Sequence, residues 1–203
     1  MDHRGRGGLM LNSLPSILGT GAPPAPLTDF VSIQTVTVGA IPATSISFTS
    51  IPSTYSHLQI RGTLQSNRAV YGIESLGMQV GNGSVDTGNN YSFHILEGSG
   101  SAVSALGVTS TSSIQTDGLS AASSNMFGGI VIDILDYANT HKYKTTRLLA
   151  GSDYNGTIAG YGGYIAFSSG LWQSTNAINT ITLTPTYGTA FNQYSSLALY
   201  GVK

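Results

Sequence analysis

The sequence predicts an all-β fold, an antiparallel β-sandwich with jelly-roll-like connections, and three observations carry that reading. The first is composition. The 203 residues include 26 Gly, 27 Ser and 22 Thr, types that suit turns and strands and weaken helices. The second is periodicity, because apolar and polar residues alternate in steps of two in at least five separate segments, the pattern of a half-buried strand. The third is punctuation: the clusters GNGSVDTGNN, EGSGS, YANTHK, DYNG and TYGTAFNQ fall between the alternating runs and carry turn chemistry.

The chain divides at residue 30. Residues 1–29 begin with the basic MDHRGRGG, continue into the apolar LMLNSLPSIL and end in the Pro/Gly-rich GTGAPPAPLTD. A basic start before an apolar run resembles a secretory leader, but Asn12, Ser13 and Pro15 interrupt the run and Gly19–Ala22 makes a poor cleavage site. The preferred reading is a docking arm. Leu9, Leu11, Leu14, Ile17 and Leu18 cannot bury one another within so short a segment and seek a partner surface. Each such side chain contributes roughly 1.5–3 kcal/mol when buried, so four or five anchor a module after ordering costs.

From Phe30 to Lys203 the chain reads as one β-sandwich domain of ten short strands. FVSIQTVTV (30–38) places Val31, Ile33, Thr35 and Thr37 on one face. TSISFTSI (44–51) turns Ile46 and Phe48 inward, and HLQIRGTL (57–64) turns Leu58, Ile60 and Leu64 inward. Further strands are expected around 78–80, 91–96, 129–137, 145–151, 163–169, 178–185 and 195–202. The expected interior comprises Ile33, Ile46, Phe48, Leu58, Ile60, Ile132, Ile134, Ile181, Leu183, Leu197 and Leu199. The Ser-rich stretch 101–124 reads as a long connection or irregular edge.

Charge and chemistry narrow the function classes. Charged residues form 8 % of the chain and the net charge is −1, so there is no basic footprint for nucleic acid. No stretch approaches the ~20 apolar residues of a spanning helix, and no membrane partner is expected. The chain has no Cys, which removes thiolate ligands and nucleophiles. Asp133 with Glu97 is the one conceivable glycosidase pair, but Asp133 falls on the polar phase of its strand and reads as a solvated or turn-pairing carboxylate. His3, His57, His94 and His141 show no ligand spacing. No nucleophile elbow or phosphate-binding loop precedes a helix. Asn82, Ser84, Asp86 and Gly88 echo the start of a calcium loop, yet the twelfth position is Phe93 rather than the bidentate Glu that site needs. No catalytic residue, metal or cofactor is expected.

Aromatic residues are denser between 154 and 172 than elsewhere. Tyr154, Tyr161 and Trp172 are candidates to face a glycan, since such rings offer contact area at low entropy cost. The competing reading makes Trp172 and Tyr164 the closure of the sandwich end, and strand phase assigns Phe167 to the core.

Several strings carry a resemblance: FTSIPSTYSHLQIRGTLQSNR (48–68), NNYSFHIL (89–96), IVIDILDYANTHKYKT (130–145), SSGLWQSTNAINTITLTP (168–185) and QYSSLALYGVK (193–203). Over residues 30–203 the chain resembles a family of exterior virion proteins of tailed bacteriophages, of the capsid decoration (cement) or tail-fibre type. The resemblance implies a β-sandwich module on the outer surface of a virion, commonly a homotrimer, with other capsid or tail proteins as partners. It implies a structural protein without enzymatic activity, or else the receptor- or glycan-binding tip of a tail fibre. The short arm favours direct docking onto capsid, neck or baseplate.

Overall fold

The computed structural model describes residues 29–69, 72–121, 125–158 and 161–203, and the docking-arm residues Leu9, Leu11, Leu14, Ile17 and Leu18 lie outside them. Thirteen strands and no helix occur among the described residues. In chain order they are β1 (Phe30–Thr37), β2 (Ile46–Phe48), β3 (His57–Leu64), β4 (Ile73–Asn82), β5 (Ser84–Val85), β6 (Tyr91–Gly98) and β7 (Val103–Thr111). They continue with β8 (Ile114–Ser120), β9 (Gly128–Leu135), β10 (Lys144–Ile158), β11 (Tyr161–Trp172), β12 (Thr180–Pro185) and β13 (Ser196–Val202).

These strands form two antiparallel sheets packed face to face, so the predicted sandwich is the observed architecture. The large sheet has eight strands in the order β1-β13-β3-β9-β10-β11-β6-β7. The small sheet runs β2-β12-β4-β5, with β8 paired to β4 as well. Strands β9, β10 and β11 form a meander of consecutive neighbours, while β13 is inserted between β1 and β3. That insertion brings residue 203 beside residue 29, and the Lys203 amide donates to the Asp29 carbonyl.

The alternating segments fold as their period requires. Ten of the eleven expected core residues are buried: Ile46, Phe48, Leu58, Ile60, Ile132, Ile134, Ile181, Leu183, Leu197 and Leu199. Ile33 is only half-buried. The reason is a register shift between Ser32 and Gln34 opposite β13, a bulge that reverses the phase of the rest of the strand. Val36 and Val38 therefore turn inward, and Thr35 and Thr37 do not join Val31 and Ile33 as expected.

The stretch expected to be a connection, 101–124, contains two strands, β7 and β8. β7 closes one edge of the large sheet, and β8 lies inside the sandwich against β6, β10 and β11. Small residues on β11 make room for it. A Cβ at Gly170 would stand 2.5 Å from Ile114 Cγ2 and 2.6 Å from Thr146 Oγ1. Two positions away, Ser168 and Thr116 join the layers by a hydroxyl pair at 2.7 Å.

Candidate functional site

Packing β8 so closely behind the middle of β11 leaves room there only for small inward residues, and Ile165 and Phe167 take the other side. Ala166, Ser168, Gly170 and Trp172 point inward, whereas Ile165 and Phe167 point out. Strand registers then align these outward residues with outward residues of the neighbours. Val131 on β9 faces Leu149 on β10, Leu149 faces Phe167, Phe167 faces Leu96 on β6, and Leu96 faces Ala105 on β7. The result is one apolar row across five strands. Leu149 is 47 % exposed, Phe167 52 %, Leu96 55 % and Ile165 58 %.

Two further rows flank it. On one side Gly129, Gly151, Ile165, Gly98 and Val103 succeed each other in register. The two glycines of β9 and β10 form the floor of a groove of about 620 Å³ walled by Arg61, Val131, Leu149 and Ile165. On the other side lies a polar row of Asp133, Arg147, Ser169 and His94. The Asp133 carboxylate accepts from Gln59 Nε2 at 2.6 Å and lies 3.5 Å from an Arg147 guanidinium nitrogen. Arg61 donates to Gln59 and stacks its guanidinium 4.8 Å from the Phe30 ring centre. The His94 ring lies over Gly107, where a Cβ would be 2.7 Å from it. The face is therefore striped: polar, apolar, then glycine-floored.

Asp133 and Glu97 are not brought together. Asp133 belongs to the outer polar row, while Glu97, at the end of β6, interacts with Asp117 of β8. Burial pushes the Asp117 carboxyl up to about 6, and the adjacent Glu97 adds to the shift despite the hydroxyl of Ser75. Burial opposes ionisation of Glu97 too, but bonds from Ser104, Tyr164 and Asp117 outweigh it and hold that carboxylate below its usual range. Below about pH 6 Asp117 therefore holds a proton beside the ionised Glu97, as expected of adjacent carboxyls.

Other polar groups are committed to holding loops. Asp86, the centre of the calcium-like segment, accepts from Trp172 Nε1 at 2.9 Å, Asn90 Nδ2 at 2.9 Å and the Gly88 amide at 2.8 Å. The Trp172 bond is the chief reason its carboxyl stays below the ordinary value. Glu74 carries no signal in the sequence. Fully buried, it accepts from the amides of Ser75 (2.9 Å), Tyr187 (2.9 Å) and Gly188 (2.7 Å) and from the Ser66 hydroxyl (2.8 Å). The Tyr187 and Gly188 amides fasten the β12–β13 loop to β4, and the 113-residue separation between Glu74 and Tyr187 hides the pairing from any local pattern. Lys144 is likewise buried, its ammonium donating to the carbonyls of Asn139 (2.6 Å), Lys142 (2.9 Å) and Thr175 (3.2 Å). Desolvation lowers its pKa.

Two of the three glycan-facing candidates lie inside, Trp172 in keeping with the competing reading that made it part of the sandwich closure. Trp172 is 3 % exposed and Tyr154 5 %, so neither ring faces a ligand. The indole is drawn in by Asp86, and the Tyr154 hydroxyl donates to the Gly72 carbonyl. Tyr161 opens β11, and its side chain is not among those described. Phe167, assigned to the core by phase, is outside, because β8 fills the space behind β11. Compared with protein-family models, curated proteins and solved structures, the chain finds no match.

Proposed function

We propose that this chain is a non-enzymatic structural protein on the exterior of a bacteriophage virion. It is a homotrimeric module that docks through its N-terminal arm as a capsid decoration, neck or baseplate-attached component. The observation that carries the reading is the apolar row Val131–Leu149–Phe167–Leu96–Ala105, half-exposed on a sheet whose other face is a packed core. The largest apolar patch on a typical monomer, roughly 300–600 Å², is often functional, and this one is bordered by Asp133, Arg147 and Arg61. The site chemistry agrees: Asp86, Glu74 and Lys144 spend their hydrogen bonds on loops of their own fold. The sequence resemblance supplies the virion, and the aliphatic arm supplies the means of attachment. A domain of low charge and without disulfides also suits a particle exposed outside a cell. The alternative reading, a glycan-binding fibre tip, draws less support with Tyr154 and Trp172 buried.

The test is a deletion of residues 1–28 in the virion. The truncated chain is expected to fold, with the β-sheet circular dichroism of the intact protein, and to be missing from purified particles. Occupancy equal to that of the intact chain would overturn the docking role of the arm.

A further inference from the structure

The sequence offers an apolar segment at residues 9–18, and the described fold presents an apolar band on its large sheet. We infer that the band is the berth for the arm: residues 9–18 of a neighbouring copy lie along the row Val131–Leu149–Phe167–Leu96. This rests on the proposed role of the arm as an assembly device, and it names the surface the arm takes.

Size is the first argument. With strands about 4.8 Å apart and alternate residues about 6.8 Å apart, the apolar and glycine rows together cover roughly 24 by 14 Å. That is roughly 340 Å² in projection, well short of the ~800 Å² per partner of a stable protein–protein interface. A second globular domain is poorly served by such a strip. A ten-residue segment, extending to at most about 33 Å, matches its length.

Chemistry is the second. LMLNSLPSIL carries no charge and five large aliphatic side chains. The band is likewise uncharged, and Asp133, Arg147 and Arg61 stand along its border. The glycine floor at positions 129 and 151 supplies depth beside Leu149 and Ile165, into which an aliphatic side chain fits.

Reach decides between copies. Residue 29 enters β1, at the edge of the large sheet opposite β7. The centre of the band, on β10 and β11, is four to five strand spacings away and about four residues farther along the strands, about 24–28 Å in all. The ten residues 19–28, with Pro23, Pro24 and Pro26 among them, span at most about 33 Å when fully drawn out. A chain's own arm would have to be drawn out to about three-quarters of that limit, beyond the ~17 Å that a flexible ten-residue segment spans on average, to lay residues 9–18 on the band. The arm of an adjacent copy carries no such restriction.

The natural absence of cysteine makes the test clean. Leu14→Cys protein is mixed with Phe167→Cys protein and oxidised, alongside a control mixture of Leu14→Cys with Asn176→Cys, an exposed turn position. A disulfide-linked heterodimer is expected in the first mixture and not in the control. A Gly129→Glu change on the Phe167→Cys partner puts a charge into the groove where a Cβ meets no atom within 4 Å, and the heterodimer yield should fall about tenfold. Equal linkage in the control overturns the berth. So does linkage found only within a single chain carrying both cysteines, which would make the arm's own sheet its site. If the truncated chain is lost from particles but no Phe167 linkage forms, the berth fails while the docking role stands. If linkage forms but truncation leaves occupancy unchanged, the berth stands and the docking role fails.

Discussion

Strands β9 and β11 lie two places apart in the same sheet and obey opposite rules. In β9 the β-branched residues Ile130, Ile132 and Ile134 fill the interior and Asp133 faces out. In β11 the interior receives Ala166, Ser168 and Gly170, while Ile165 and Phe167 are presented outside. The cause is what stands opposite. Behind β11 runs β8, close enough that Gly170 has no room for a methyl group beside Ile114. Alternation defines two faces of a strand; the space available on each side decides which face goes in. Where the inner face is small and the outer one large, the outer residues are spared from folding and free to serve recognition.

Exchanging residues on the two strands tests that difference. The largest effect is expected for Ile132→Ala in β9. It leaves a cavity in a fully packed region and should destabilise by about 2–5 kcal/mol, read as a lower midpoint in urea unfolding with an unchanged slope. An Ile132→Ala protein as stable as the parent would mean that the β9 interior is no better packed than the β11 exterior.

A smaller effect is expected from the polar part of the interior behind β6 and β11, and it depends on pH. Burial raises the folded pKa of Asp117 to about 6 from the ordinary 3.8. The folded chain therefore holds a proton there that the unfolded chain releases, and stability falls as pH rises from about 4 to about 6 before levelling off. Asp117→Asn should abolish that decline, which Tm measured at pH 4, 5, 6 and 7 would reveal. A decline of unchanged size in the variant would assign it to another group.

The smallest effect is expected on the outer face itself. Phe167→Ser removes the largest ring of the apolar row yet should change stability by no more than about 0.5 kcal/mol. It should, however, lower hydrophobic-dye binding and any self-association seen by light scattering. A loss comparable to that of Ile132→Ala would show that Phe167 is a core residue after all.

Much of this architecture is legible in the residues. HLQIRGTL matches β3 from His57 to Leu64, because its alternation is regular and its apolar face is large. β7 and β8 are hidden for a physical reason. The inward positions of β8 include Thr116 and Gly118, and β7 is exposed along most of its length, so both look like a connection. The bulge near Ile33 breaks the phase of β1 through a register shift that no local pattern announces. The outer band is harder still. In β10 the adjacent Leu148 and Leu149 leave the phase undetermined, and the structure buries the first and exposes the second. Glu74 takes two of its four donors from amides more than a hundred residues away, a tertiary contact that no local pattern announces.

The bond between the Lys203 amide and the Asp29 carbonyl has a consequence for how the domain can be rewired. Strand β13 returns the chain to the corner where β1 begins, so a peptide of a few residues would join position 203 to position 29 without crossing a sheet. New ends could then be opened at the exposed Ser99–Gly100 turn between β6 and β7. Such a permutant would carry its free termini at the edge of the large sheet farthest from that corner. The same corner would let the whole sandwich be spliced into a surface loop of another protein, entering and leaving through one narrow gap.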